Sequence, residues 1–534
     1  MENYSNDYLD RLFGRKKYVV RDALPLNIAV SEFVSELIAS SLGPRGSYKL
    51  ILDKEFGDFV TNDSGTIVNV ISKDKRLPPV IQLILQAANV LKESIGDGVA
   101  SMIIFGCELL KKAGELIEKG IHPNIIREGY KIALNKALEV LQKISFEIPL
   151  NNRAYIEDIM KNNIKSSFPE NEWITLCHSA VDAISKIAIY DDYTKSFNVD
   201  LDYVKIVKVE GERFFDTQLV NGVIIDKKRL EPGVPKYFKD AKILLMNTSI
   251  KVENTRHHFF DSKFEFEIET PSHVKKLYEV KDILLRQKVE KIISIGANVV
   301  VSTDEIADKV IHTLAKRNVM AIRWVSKLDL KRIAKLTNAF IVSSLTEATG
   351  ADLGKADTVE EVIINNNKLI VFKTYFQPRS VTFLVRGSNR LVIDEIERQL
   401  NKMLKVLKIL FEKNRGVYGG GACEVTLSLE LKKLAQEYAD KRHIVIEKFA
   451  EALEAIPMHL ARNAGLDPIL TISALRKLHS IGRFESGIDG RKCLIEDMSA
   501  CRIIDLLPIK ENILKNSVEV VLMLLKVDEI IREV

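Results

Sequence analysis

Three glycine-rich turns set among helical patterns constrain this chain more than any other feature. They are Leu42-Gly43-Pro44-Arg45-Gly46, Gly96-Asp97-Gly98 and Gly419-Gly420-Gly421, two early and one late in 534 residues. Glycine lets backbone N–H groups approach a ligand closely, and a helix start offers unpaired donors and partial positive charge. Gly96-Asp97-Gly98-Val99-Ala100-Ser101 precedes an apolar helical run from Met102 to Ile117, so phosphate suits that end, and Asp97 could hold an accompanying Mg²⁺. Taken alone, that stretch is a weak signal and reads first as a turn capped by Asp97 before a helix. The argument for a ligand rests on the three turns together.

The texture of the chain changes between them. Helical spacing runs over Leu26–Ser41, Pro78–Ser94, Met102–Ile117 and Asn124–Ile144, with a short strand pair at Tyr48–Leu52 and Phe59–Val60. Thr61-Asn62-Asp63-Ser64-Gly65-Thr66 is a second polar turn that places Asp63 near the start of another helix. After Ile148-Pro149, a helix at Glu172–Ile189 and a strand at Val204–Val209 lead into strand–helix alternation. Its strands are Ile243–Met246, Val299–Ser302, Val319–Trp324 and Phe340–Val342; its helices are Ser272–Lys291 and Asp304–Lys316. Strands follow at Lys368–Lys373 and Val381–Arg386, then helices to a final one at Leu514–Ile530. The two helical ends therefore make one domain, with a sheet flanked by helices inserted between them. Within the insert, Asn247–Ile283 is an excursion rich in charge and phenylalanine. Phe264–Ile268 alternates there as a strand would, and an exposed partner-binding arm and a packed hairpin remain equal readings.

Composition excludes several classes. With 46% hydrophobic residues the chain buries a large core in about three or four domains. A net charge of +5, from 78 basic and 73 acidic residues, argues against a dedicated nucleic-acid surface. Cys107, Cys177, Cys423, Cys493 and Cys501 form no C-x-x-C pair and read as reduced core thiols. His257-His258, the only histidine cluster, reads as a solvated loop. Met1–Lys17 is polar, without the apolar core of a signal peptide, and no apolar run is long enough to cross a bilayer. The expectation is a soluble cytoplasmic protein.

Leu42–Gly46, Thr61–Thr66, Gly96–Ser101, Ile121-His122-Pro123 and Gly419–Gly421 resemble, in order and spacing, the nucleotide motifs of group II chaperonins. Ile206–Val209, Leu219–Lys227 and Asn463–Pro468 are similar to archaeal thermosome subunits, the divergent gamma type especially. Ala321–Val325 and Ala452–Met458 also resemble subunits of the eukaryotic cytosolic chaperonin CCT/TRiC. The resemblance implies a mixed α and α/β fold of three domains. These are an all-α equatorial ATP-binding domain (1–146 and 403–534), a small α/β intermediate domain (147–215 and 368–402) and an α/β apical substrate-binding domain (216–367) with a lid-forming helical protrusion at about 247–283. It also implies ATP and Mg²⁺ as cofactors, paralogous subunits in a double ring of eight or nine, and non-native client proteins, with no nucleic acid or membrane partner. Carried over residue by residue, nucleotide contacts fall on Leu42, Gly43, Pro44, Gly46, Asp97, Gly98, Val99, Ala100, Ser101, Gly419, Gly420, Gly490, Asp505 and Lys510. The metal ligand falls on Asp97 and a catalytic carboxylate on Asp63.

The departures from that pattern matter for mechanism. Where the family has G-D-G-T-T-S, Val99 and Ala100 replace two threonine hydroxyls. Each lost neutral hydrogen bond is worth about 0.5–1.5 kcal/mol, so ATP affinity falls roughly tenfold or more without vanishing. Where it has T-N-D-G-A-T, Thr61–Thr66 keeps the carboxylate and shifts the glycine by one. The family's intermediate-domain Ser-Ser-Lys falls near Ser167, with Lys165 two residues before. The decisive change is at Lys402. Phosphoryl transfer to water requires an oriented, polarised nucleophile, which the family supplies with two aspartates; one corresponds to Asp63, and Lys402 stands in place of the other. An ammonium with an ordinary pKa near ~10.4 cannot take the water's proton, but could pair with the γ-phosphate and help hold nucleotide. The expectation is a chaperonin subunit that binds Mg-nucleotide and hydrolyses it poorly, unless Asp394 or Glu397 supplies the missing carboxylate. The competing readings are a non-cycling scaffold derived from a chaperonin and a self-sufficient ATPase or kinase. The absence of a G-x-x-x-x-G-K-[ST] loop disfavours the last.

Overall fold

The computed structural model describes residues 18–21, 23–52, 59–73, 77–163, 170–211, 217–251, 271–365, 367–527 and 529–532. It divides into two compact units: residues 1–178, 192–197 and 399–534 form the first, and residues 179–191 and 198–398 the second. The first is thus built from both ends of the chain, with the second inserted.

The first unit is organised around the helix Val99–Glu118, in which 12 of 20 residues are buried. Its first turns are buried on nearly every side, which the apolar run Met102-Ile103-Ile104-Phe105 permits, while Glu108, Lys111, Lys112 and Glu115 keep a charged, partly exposed face farther along. Around it pack helices Ala23–Ala39, Pro79–Ser94, Pro123–Ile144, Arg442–Leu453 and Leu507–Leu524. Phe449 meets Phe105 and Tyr130 edge-on at 5.4 and 5.5 Å, and the buried Tyr130 hydroxyl donates to the Leu109 carbonyl at 2.9 Å. Those contacts tie the early helices to the late ones. Short strands complete the unit. Tyr18–Arg21 pairs antiparallel with Glu529–Arg532, and Arg415–Tyr418 lies between Ile504–Leu506 and Phe146–Glu147.

One expected element differs. The last helix runs over Leu507–Leu524 instead of 514–530, because Pro508 lies in its first turn, where a missing N–H costs nothing. The chain then leaves the helix and extends into the Glu529–Arg532 strand.

The second unit contains a seven-stranded mixed sheet. Its order is Met320–Ile322, Val299–Ser302, Tyr237–Met246, Gly354–Ile364, Asn367–Lys373 and Gly222–Ile225, with Ile341–Val342 also paired to Tyr237–Met246. The Val299–Ser302 strand is parallel to both neighbours and buried at all four residues, as a strand covered on both faces must be. Two separate apolar clusters serve the sheet, one including Leu245, Val301 and Phe372 and the other Leu244, Val300 and Ile292. Val381–Gly387 forms a second, three-stranded sheet with Val204–Glu210 and Gln218–Val220. Phe264–Ile268, His257-His258, Lys165 and Ser167 lie outside the described residues.

Candidate functional site

A cavity of about 790 Å³ opens in the first unit. That volume suits a small organic ligand. Its lining brings together Leu42, Gly43, Pro44, Asp63, Asp97, Gly98, Ala100, Ser101, Lys402, Gly420, Gly490, Asp505 and Lys510, residues spread over 469 positions of sequence. Gly46, Val99 and Gly419 are not in the lining. Val99 is buried in the helical core, and Gly419 instead donates its N–H to the Ile503 carbonyl at 3.0 Å.

Two helices begin at this cavity in the same way. Gly98 precedes Val99–Glu118 with φ 87°, and Gly421 precedes Ala422–Ala435 with φ 80°. Both are left-handed, and neither helix has a side-chain cap. A side chain at 98 would place its Cβ 2.9 Å from Ile513 Cδ1, and one at 421 would lie 2.5 Å from Pro457 Cβ. Glycine is therefore demanded twice over, by backbone conformation and by space. The result is two helix N-termini without side-chain caps, whose first-turn N–H groups and partial positive charge can receive an anion, except that the Ala422 amide donates to the Gly419 carbonyl at 3.1 Å.

The helix Ser64–Ser72 starts differently. Asp63 caps it, its Oδ2 accepting from the Thr66 amide at 2.8 Å and the Thr66 hydroxyl at 2.7 Å. Burial pushes the Asp63 pKa up, but the Lys402 ammonium, the Thr66 hydroxyl and Lys92 outweigh it and hold it below the ordinary carboxylate value. Asp63 is thus firmly ionised and a weak base.

Lys402 lies on the helix Arg390–Lys413, where Gln399, Lys402 and Val406 form one cavity-facing stripe at helical spacing. Its Nζ is 3.0 Å from Asp97 Oδ1. Burial would lower the Lys402 pKa; the Asp97 and Asp63 charges more than reverse this, and the group stays cationic. Three residues on, the Lys405 ammonium donates to the carbonyls of Lys92 (3.2 Å) and Glu93 (2.8 Å), fastening this helix to the end of Pro79–Ser94, just before the Gly96 turn. Asp394 and Glu397 do not line the cavity. Both accept from Lys208, each at 2.9 Å, in the second unit.

A second lysine, Lys510, is paired with Glu424 at 2.5 Å and Asp505 at 2.8 Å. Although burial opposes its charge, the Asp505 and Glu424 carboxylates raise its pKa well above the usual value. Asp505 sits opposite Val417 in the central strand pair, which brings it beside the Gly419–Gly421 turn.

The residue reading missed several members. Arg45, Asn162 and Arg491 also line the cavity; Arg45 donates to the Arg491 carbonyl at 3.0 Å, and Arg491 to the Lys161 carbonyl at 2.8 Å. Asp489 accepts from the Arg491 amide at 2.8 Å and shapes the turn containing Gly490. The Gly487-Ile488-Asp489-Gly490 pattern carried that signal; Asn162 carried none. Asn463, outside the lining, donates to the carbonyls of Ala39 (2.8 Å) and Leu42 (2.9 Å) and so fixes the first glycine turn. Of the five cysteines, Cys107, Cys177 and Cys423 are buried, whereas Cys493 and Cys501 are only partly so and are not core residues. Burial pushes Cys107 and Cys177 up to about 12, and Glu496 with burial raises Cys501 to about 11, so these thiols are protonated at neutral pH.

The cavity fits a nucleoside polyphosphate in volume and in its two anion-receptive helix ends. It fits a divalent cation poorly, because an Asp97 carboxylate oxygen is engaged by an ammonium and position 402 supplies no oxygen.

This arrangement of a helical unit made from both chain ends around a glycine-walled cavity belongs to a known class. Residues 34–534 match the TCP-1/cpn60 chaperonin family, and the chain belongs to that family. Within it, the chain is a thermosome-like group II chaperonin subunit. It is 34% identical over 518 residues to thermosome subunit alpha of Archaeoglobus fulgidus, covering 97% of this chain and 93% of the relative. It is 35% identical over 519 residues to thermosome subunit beta of Thermococcus kodakarensis, with the same coverage. The open-state monomer of a group II chaperonin from Methanococcoides burtonii superposes with a TM-score of 0.61 at 32% identity, covering 81% of this chain and all of that one. Among the described residues no helix is long and apolar enough to cross a membrane.

Proposed function

We propose that this chain is one subunit of a cytoplasmic double-ring chaperonin that encloses non-native proteins, and that it binds an adenine nucleotide but hydrolyses it poorly. The alpha and beta subunit names of its relatives support paralogous partners, and the three-domain division at 146/147, 215/216, 367/368 and 402/403 is carried as part of the reading. The observation that carries it is Lys402, held in the cavity against Asp97 and near Asp63.

A phosphate placed at the Gly98 helix end meets backbone donors and, beside Asp97, the Lys402 ammonium, which favours binding. Hydrolysis needs a base to orient and deprotonate water. The ammonium has no lone pair to offer. Asp63 has a depressed pKa and one oxygen committed to two hydrogen bonds from Thr66, which leaves a single weakly basic atom for the task. Hydrolysis at this site is therefore slow.

Single-turnover hydrolysis by the parent and by Lys402→Asp tests this. Lys402→Asp is expected to release phosphate at least about tenfold faster, within the range a positioned base contributes; equal rates refute the reading. Native mass spectrometry gives about a megadalton for a double ring of sixteen such chains, and a much smaller particle favours a non-cycling scaffold.

A further inference from the structure

The Lys402–Asp97 pair has a consequence for what accompanies the nucleotide. Lys402 comes from the late half of the chain and Asp97 from the early half, yet Nζ and Oδ1 are 3.0 Å apart in the cavity wall. Only 20% of the lysine side chain is exposed. Asp97 is held between Gly96 (φ 85°) and Gly98 (φ 87°), a backbone that fixes its carboxylate at the open start of the Val99–Glu118 helix. Both groups line the cavity, as does Asp63.

We infer that the Lys402 ammonium is a built-in counter-ion that takes the place of a divalent cation, so that this subunit accepts its nucleoside polyphosphate as the metal-free anion. The inference rests on reading the cavity as a nucleotide site.

The charge count supplies the reason. Asp63, Asp97 and Lys402 together carry one net negative charge, whereas an aspartate at 402 would raise that to three. Three carboxylates repel a bare polyphosphate and demand a divalent ion between them and the phosphates. One net negative charge beside the uncapped N-terminus of Val99–Glu118 makes no such demand. Geometry points the same way. A magnesium ion takes oxygen ligands at about 2.0–2.1 Å in octahedral order. To reach Asp97 that closely it must displace an ammonium tethered to the same wall, which competes at the high effective concentration of an intramolecular group. The remaining N–H bonds of the ammonium are free to serve a phosphate oxygen, as lysine does at phosphate sites generally.

Equilibrium dialysis of the full-length chain with ADP and with a non-hydrolysable ATP analogue, in EDTA and in Mg²⁺, tests this. The parent is expected to bind with a Kd that differs by less than about threefold between the two buffers. Lys402→Asp is expected to bind in Mg²⁺ and to lose at least about 100-fold in EDTA, as expected when the phosphate charge goes uncompensated. Lys402→Met, which adds no negative charge, provides the same comparison if Lys402→Asp does not fold, and its binding in EDTA is expected to fall by at least about tenfold. Strict Mg²⁺ dependence in the parent overturns the inference while leaving the nucleotide reading intact. No binding by the parent in either buffer overturns the nucleotide reading, and this inference with it.

Discussion

The cavity holds two lysine-centred clusters that are alike in their chemistry and differ in their surroundings. Lys510 sits between Glu424 and Asp505, with side chains 11%, 4% and 32% exposed. Lys402 lies against Asp97, 20% and 32% exposed. In the first, a carboxylate is sealed away from water and depends on its lysine. In the second, the carboxylate keeps solvent contact and can find other partners. A lysine matched to a sealed carboxylate holds the fold together; one matched to a solvated carboxylate is free to serve a ligand.

The largest expected effect separates the two. Lys510→Met strands the buried Glu424 carboxylate and is expected to cost about 3–5 kcal/mol, whereas Lys402→Met leaves Asp97 to solvent and Asp63 with Thr66 and Lys92, and is expected to cost less, about 1–3 kcal/mol. Chemical denaturation of both variants measures the difference. Equal losses would erase the distinction. Next, Gly98→Ala forces a left-handed residue and a Cβ 2.9 Å from Ile513 Cδ1; it is expected to cost about 1–3 kcal/mol and to weaken anion binding at that helix end. The same denaturation assay, with nucleotide dialysis, reads both losses.

A third charge cluster, outside the cavity lining, supplies a control for solvent access. Glu454, buried, accepts from Ser428 at 2.7 Å, Lys432 at 2.8 Å and Arg476 Nε at 2.9 Å. Burial would raise its pKa, but Arg476, Lys432 and Ser428 together lower it. A depressed folded pKa means the stabilisation is present above the unfolded value near ~4.3 and is lost as pH falls through the folded one. The stability gap between parent and Glu454→Gln is therefore expected to stay flat from about pH 7 to 5. Below about pH 4.3 it should shrink, with a slope no steeper than about 1.4 kcal/mol for each pH unit, the limit for one proton. Thermal melts across that range check it; a gap that grows on acidification contradicts the assignment.

Much of the fold was legible in the residues because its signals are local. Helical spacing, the Gly-Asp-Gly and Gly-Gly-Gly turns, and the β-rich texture of the insert each depend on neighbours within a few positions. They sufficed to place Val99–Glu118, Pro123–Ile144 and Val299–Ser302 within three residues at either end. The final helix was misplaced because a continuous apolar pattern gives no warning of where the chain turns to pair with Tyr18–Arg21. Lys402 could be singled out by its departure from a motif, but its partner could not.

By itself, then, the sequence determined where the glycine turns stand, that helical runs follow them, and that a cation stands at 402. Those follow from backbone sterics and side-chain chemistry, which each residue carries with it. Only the tertiary structure decided that this cation meets Asp97, that Asp394 and Glu397 belong to Lys208, and that Glu424 is sealed beside Lys510. Ion pairing depends on distance and water exclusion, and both are set by how helices far apart in the chain pack together.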